Sequence, residues 1–266
     1  MYQEQGPKIS LAIDKGHNIL RDEASFLERA GFNIAVWENG SLHTVVIDDT
    51  SLRGITQLRG GDIPYRLVEG VNDFGILGRD ILREAQLDGL DIEEVVPLAF
   101  SRCIVAVEVP VSSTFRKPED LNRMRIATSY PNQAEAFFAL NNTEIKLVRY
   151  SGGEEGAPAS GAADAVVAIY HTGYTAEING LRLLNTPKDS TILESEAVLT
   201  ASSEFLNEHG SERTVRQFIA RFSQTAGRRT IRRVPTPLSG VQNLSVEGIL
   251  IVENLAPQIA LQPVNP

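Results

Sequence analysis

Cysteine is almost absent: Cys103 is the only one in 266 residues. A lone thiol excludes an intrachain disulfide and a cysteine-based metal site. Long hydrophobic runs are missing too. None approaches the roughly 20 residues of a membrane-spanning helix. Positive charge is in deficit, with 25 Lys and Arg against 34 Asp and Glu, for a formal net charge of −9. That balance disfavours a nucleic-acid groove, although a local group of arginines and backbone N–H groups can still take a small anion. The first residues are polar and carry no secretory pattern, so the expectation is a cytoplasmic protein. No internal repeat is visible. A hydrophobic content of 42% and a charged content of 22% are ordinary for a globular chain of this length, which can bury the cores of two α/β lobes.

The chain is organised around residues 146–181. They read as a strand (146–150), a loop from Ser151 to Pro158, a second strand (164–170), the turn His171-Thr172-Gly173-Tyr174-Thr175, and a helix from about Ala176. Val166, Val167 and Ile169 form the short apolar run of a strand buried on both faces. Glycine in the turn lets backbone N–H groups approach a ligand, and threonine hydroxyls can donate as well. The helix start adds free N–H groups and a positive dipole end. Strand, Thr-Gly-x-Thr, helix is thus a phosphate-cradle pattern. Taken alone it is equally an ordinary turn with a threonine cap.

The same βα rhythm precedes it. A strand at 9–13 runs into Asp14-Lys15-Gly16-His17 and a helix over 18–30, with Leu20, Ala24, Leu27 and Ala30 on one face. Strands are expected at 36–39, 43–47 and 55–58, with a turn near Asn39-Gly40. Arg59-Gly60-Gly61-Asp62 leads into a helix ending at Gly70, with Asp62 as its N-cap and Pro64 in its first turn. A buried strand at 74–78 and a helix from Asp80 follow. Parallel βα units place ligands at the carboxyl ends of their strands. Lys15, His17, Arg59, Asp73 and Gly75 are then candidates for the cleft, although a turn or cap role would explain several of them. Further on, strands are expected at 95–100, 104–109 and 125–129, and a helix from Tyr130-Pro131-Asn132 to Leu140. One strand over 191–201, one helix over 203–226 and a last strand at 250–252 complete the reading. The arginines 228, 229, 232 and 233 read as a solvated face.

Ser151-Gly152, Glu155, Ala157-Pro158, Gly161, Ala163-Asp164, Thr172-Gly173, Thr175 and Asn179-Gly180-Leu181 follow one known pattern. They resemble the phosphoribosyl-diphosphate loop of the ATP phosphoribosyltransferase family of histidine biosynthesis. Lys15-Gly16, Arg59 with Asp62-Ile63-Pro64, Gly70, Asp73, Gly75-Ile76, Gly78 and Asp80 match in order. So do Arg102-Cys103, Ala127-Thr128 with Tyr130-Pro131-Asn132, and Glu194-Ser195 with Ala197-Val198-Leu199. The likeness covers about residues 8 to 205. Two positions depart from it: His17 stands where the family usually has Arg, and Ala168 where it usually has Asp.

The resemblance implies a two-lobed α/β fold with a cleft, like that of type II periplasmic binding proteins. Residues 1–99 with 202–228 would form the first lobe, 100–201 the second, and 229–266 an extension. The implied reaction moves phosphoribosyl from phosphoribosyl diphosphate to N1 of ATP and releases diphosphate. A diverged paralogue with another acceptor, or a non-catalytic binding or regulatory homologue, is the alternative. The implied donor site is Thr172, Gly173, Tyr174, Thr175 and Glu155, the last also open as a helix-cap acid. The nucleotide side would be Lys15, His17, Arg59, Asp73 and Gly75, with Glu155, Lys15 and Arg59 acting in the reaction. Mg²⁺ would arrive with the diphosphate, without a protein cage. By resemblance the family's Asp at position 168 holds the ribose hydroxyls, so an acid restored there is expected to tighten the donor. The expected partners are small-molecule substrates, further copies of the chain and, on the short-form pattern, a separate regulatory subunit, with neither nucleic acid nor membrane.

Overall fold

The computed structural model describes residues 8–32, 34–35, 43–46 and 51–227, with the backbone alone at 17–21, 34–35 and 43–46. A first run of elements gives β1 (Ile9–Asp14), α1 (His17–Arg29), β2 (Ile34–Ala35), β3 (His43–Val46), β4 (Leu52–Leu58), α2 (Ile63–Val68), β5 (Phe74–Gly78), α3 (Arg79–Leu87) and β6 (Ile92–Pro97). A second gives β7 (Cys103–Pro110), β8 (Arg125–Thr128), α4 (Pro131–Leu140), β9 (Lys146–Arg149), β10 (Ala165–Tyr170), α5 (Tyr174–Ile178), β11 (Leu181–Leu183), α6 (Pro187–Ser190) and β12 (Thr191–Ser195). Then follow β13 (Ala197–Ser202), α7 (Ser203–His209) and α8 (Arg213–Thr225). The expected strands at 36–39 and 250–252, the turn at 39–40, the basic run and the extension at 229–266 lie outside the described residues.

The first sheet has the order β2-β3-β4-β1-β5-β13-β6. β1 runs parallel to β4 and β5, while β13 is antiparallel to β5 and β6. Every residue of β1 is buried, as a central parallel strand covered on both faces requires. Ile9, Leu11 and Ile13 face a cluster with Phe26, Phe74, Phe218 and Phe222. Ala12 faces Ile63, Leu67 and Leu82 on the other side. The ring centroids of Phe74 and Phe218 are 4.9 Å apart. Each such buried ring contributes about 1.5–3 kcal/mol, so α8 is held to the first sheet by its apolar face.

The second sheet has the order β11-β7-β10-β8-β9, with β12 also paired to β7. β8, β9 and β10 are parallel, and β7 is antiparallel to β10, β11 and β12. Side chains alternate across its central strands. Val105, Val107, Val109, Ala165 and Val167 pack with Phe138 on one face. Val166 and Ala168 pack with Ala127, Ala157, Ala163 and Ala176 on the other. The architecture is thus two α/β lobes, each with its own sheet and core.

Three local expectations change. The strand expected over 191–201 is two, meeting at Glu196: β12 stays in the second sheet and β13 enters the first. The helix expected over 203–226 is two, because the chain turns at Gly210 before α8 begins. Asp62 makes no side-chain cap bond, because a 3₁₀ turn over Gly60–Asp62 feeds α2 and holds Asp62 in helical geometry. No helix among the described residues is long and apolar enough to cross a membrane.

Candidate functional site

β10 ends at Tyr170, and the chain enters α5 through Thr172 and Gly173. Gly173 has φ +82°, and a Cβ there would lie 2.5 Å from the Tyr170 hydroxyl. The backbone sits in left-handed geometry that a side chain strains, and the space a side chain would need is occupied. The Tyr174 amide points at Thr172 Oγ1, 3.4 Å away. The Thr172, Gly173 and Thr175 amides have no acceptor among the described residues. Thr172, Tyr174 and Thr175 are exposed. Thr172 to Thr175 therefore present several amides and two hydroxyls at one turn, as an oxyanion of a phosphate needs. A shallow cavity of about 340 Å³ opens beside the turn, lined by Thr172, Gly173, Glu177 and Arg182 among others. Neither Glu155 nor any residue of the first lobe lines it.

The loop over 151–163 packs on the same sheet face as the turn, through Ala157 and Ala163. Arg125 anchors its far end, with Nη2 donating to Asp164 Oδ1 at 2.8 Å and Nη1 to the Gly161 carbonyl at 2.8 Å. Glu154 is buried, and its Oε1 accepts from Ser129 Oγ at 2.6 Å. Glu155 is half-buried, and its carboxylate makes no hydrogen bond or ion pair among the described residues. It is the acid of this loop available to a ligand.

In the first lobe, Lys15 follows the carboxyl end of β1 and Arg59 that of β4, and both are exposed. β1 and β4 are adjacent and parallel, so the two residues stand side by side. His17 is the first residue of α1; its side chain lies outside the description. Asp14 is buried between them, and its Oδ1 accepts from the Gly16 amide at 2.9 Å. Burial pushes its carboxyl up. Burial also pushes Glu23 well up, with the charge of Asp14 adding to the effect.

Asp73 and Gly75 do not join this group. Both lie toward the amino end of β5. Asp73 Oδ2 is held by Ser10, from its amide at 2.7 Å and its hydroxyl at 2.9 Å. A Cβ on Gly75 would meet Ile63 Cγ2 at 2.5 Å. Gly75 is small because α2 packs on it, and Asp73 is acidic because it fastens β5 to β1.

The two lobes meet through side chains of α3 and the start of α4. Asp80, buried in the first turn of α3, accepts from the Tyr130 hydroxyl at 2.8 Å and from Ser195 Oγ at 2.5 Å. Burial, with the charge of Asp80 beside it, pushes the Tyr130 phenol well up, so it stays a donor. Glu84 accepts the Asn132 amide at 2.7 Å and the Gln133 amide at 3.0 Å. The α4 N-terminus is thus occupied by a carboxylate of the other lobe. Tyr130 follows β8 and Asp80 follows β5, so the carboxyl ends of both sheets face one cleft. Lys15 and Arg59 follow the carboxyl ends of β1 and β4 in the first sheet, and the Thr172 to Thr175 turn follows that of β10 in the second. No periodicity marks Asp80, Glu84 or the Tyr130 hydroxyl. Glu108 interrupts the β-branched run of β7.

Comparison with known proteins follows the same lines. The family model for HisG, ATP phosphoribosyltransferase, matches residues 59–224. The ATP phosphoribosyltransferase of Methanopyrus kandleri is 31% identical over 196 residues, 74% of this chain and 66% of that protein. That of Thermoanaerobacter pseudethanolicus is 31% identical over 203 residues, 75% of this chain and 92% of that protein. The chain spans just under two thirds of the first relative's length and nearly all of the second's. Among solved structures, the ATP phosphoribosyl transferase (HisG:HisZ) complex from Thermotoga maritima aligns with a TM-score of 0.64 at 21% identity, over 82% of this chain and 98% of that one. The alkanesulfonate-binding protein SsuA from Xanthomonas axonopodis pv. citri aligns with a TM-score of 0.51 at 19% identity, over 82% and 72%. These two likenesses carry the two-lobed fold.

Proposed function

Since the chain belongs to the ATP phosphoribosyltransferase family, we propose that it transfers phosphoribosyl from phosphoribosyl diphosphate to N1 of the adenine of ATP, with release of diphosphate. The observation that carries this reading is the Thr172 to Thr175 turn, with unmatched amides, on the sheet face that the loop of Glu155 also covers. The displacement builds positive charge on the ribose and negative charge on the leaving group. The turn's amides would hold the 5′-phosphate, and Glu155 a ribose hydroxyl, so the donor is fixed at both ends. Lys15 and Arg59, the cations of the opposite wall, would hold the nucleotide phosphates, and His17 can donate to the same group. Asp73 and Gly75 serve the sheet in this reading.

Mg²⁺ enters with the donor. Diphosphate oxygens and water would carry it, as is usual for this ion. Bound there, the ion supplies countercharge to the diphosphate.

The lobes of this reading are residues 1–99 with 202–228 and residues 100–201. Assembly with further copies, and with a regulatory subunit of the kind named in the Thermotoga maritima complex, belongs to the same proposal and is tested by sedimentation of the purified chain with and without such a subunit. The activity is tested by calorimetric titration with phosphoribosyl diphosphate and Mg²⁺, then a diphosphate-release assay with ATP. Binding of the donor and release on adding ATP are expected; no donor binding refutes the reading. Donor binding without turnover on ATP selects a different acceptor. That second reading is favoured by His17 in place of the family's Arg.

A further inference from the structure

Glu108 lies in the middle of β7, in register with Val166 of β10. Ala106, two residues before it, pairs with Ala168. Glu108 and Ala168 are therefore diagonal neighbours on one sheet face, about 7 Å apart. This is the face covered by the 151–163 loop and α5, so Glu108 stands beneath the loop that carries Glu154 and Glu155. It is only 1% exposed, and its Oε2 has no hydrogen-bond partner. The Oε2 of Glu154, 4% exposed, is unmatched as well. Burial, then the charges of Glu155 and Glu154, push the Glu108 carboxyl up to about 7. An acid left unmatched inside a sheet destabilises the fold, and an apolar residue would fill the same place without that cost.

The chemistry of the donor selects what such an acid could meet. A phosphoribosyl donor is anionic at both ends, and its hydrogen-bond donors are the two vicinal ring hydroxyls. An ionised carboxylate only accepts, so it repels phosphate and binds hydroxyl. On the sheet face that the 151–163 loop covers, a buried carboxylate fits the ribose. Ala168 offers only a methyl on the same face, so no second acid competes with Glu108 there. Resting on the function proposed above, we infer that Glu108 is a second ribose-holding carboxylate, placed beneath Glu155 and accepting from the vicinal hydroxyls of the donor. This makes Glu108 a specificity residue for ribose phosphates.

The test is calorimetric titration with phosphoribosyl diphosphate and, separately, with inorganic diphosphate, at pH 8. It compares the full chain, Glu108→Gln and the exchange Glu108→Ala with Ala168→Asp. The expected result is a loss of at least tenfold in donor affinity for Glu108→Gln, with diphosphate affinity within twofold of the unaltered chain. The exchange variant should recover at least threefold of the loss, because it returns one acid to the same face. Ala168→Asp alone should not tighten the donor, since it sets a second carboxylate beside Glu108. Unchanged donor affinity in Glu108→Gln overturns the inference while leaving the proposed function standing. Parallel loss of diphosphate also overturns it, because the effect is then on the fold. If the unaltered chain binds no donor, the proposed function fails first.

Discussion

Replacing Glu108 by Gln should stabilise the protein, and increasingly so as the pH rises. In the folded chain, burial and the charges of Glu155 and Glu154 carry this carboxyl from 4.5 to about 7. In the unfolded chain it returns to its ordinary value. Between pH 4.5 and 7 the folded state therefore binds more protons than the unfolded state, and stability falls as pH rises. The favourable contribution is fully present below 4.5 and is lost by the time the folded group ionises near 7. At about 1.4 kcal/mol for each pH unit of that window, the folded state loses about 3 kcal/mol by pH 8. Glutamine has the same shape and no charge to desolvate, so it escapes the loss. For a chain of this size 1 kcal/mol moves Tm by roughly 2–4 °C, so the variant should melt about 6–12 °C higher at pH 8. The two should converge near pH 5. The assay is thermal melting of both proteins from pH 5 to 9. Asp14 and Glu23, also raised, titrate alike in both proteins, so the difference isolates Glu108. A difference that stays flat with pH refutes the reasoning, because it means that Glu108 is solvated or matched. A variant that is more stable and yet binds the donor more weakly separates a ligand-holding role from a structural one.

Gly173→Val should weaken phosphoribosyl diphosphate by at least tenfold, about 1.4 kcal/mol. The side chain meets Tyr170 and strains a backbone at φ +82°; an unchanged dissociation constant would count against the amide cradle. Glu84→Ala removes the acceptor of two α4 amides across the lobe boundary, at about 1.5–3 kcal/mol by the worth of charged hydrogen bonds; urea unfolding at pH 7 measures it, and a loss under 0.5 kcal/mol would mean that water replaces the carboxylate. The Cys103 thiol is pushed up to about 11, first by burial and then by the charge of Asp80. It should react with a soluble disulfide reagent at pH 8 at least a hundredfold more slowly than free cysteine, and an ordinary rate would show the site to be open.

Local pattern alone decided much of this protein. The βα rhythm of the first hundred residues, the two-faced burial of β10, and the glycine turn into α5 follow from apolar spacing and from residues with few backbone options. The order of Ser151-Gly152, Glu155, Ala163-Asp164 and Thr172-Gly173 offers, by resemblance, a candidate donor site, since that loop and turn are contiguous in the chain. What the sequence could not decide was where acids end up in space. Asp73 and Lys15 lie within the same βα run, yet β5 carries Asp73 to the amino end of the sheet, where Ser10 holds it. Asp80 and Glu84 look like ordinary residues of one helix; they become lobe contacts because Tyr130, Ser195 and the α4 amides arrive from 48 or more residues away. The single strand expected over 191–201 divides at Glu196 because two sheets compete for its hydrogen bonds. Glu108 reads as an interruption in a strand until β10 sets Ala168 beside it. Backbone geometry follows from neighbours in sequence. The partner of a buried charge is set by strand register and lobe packing, which only the folded chain supplies.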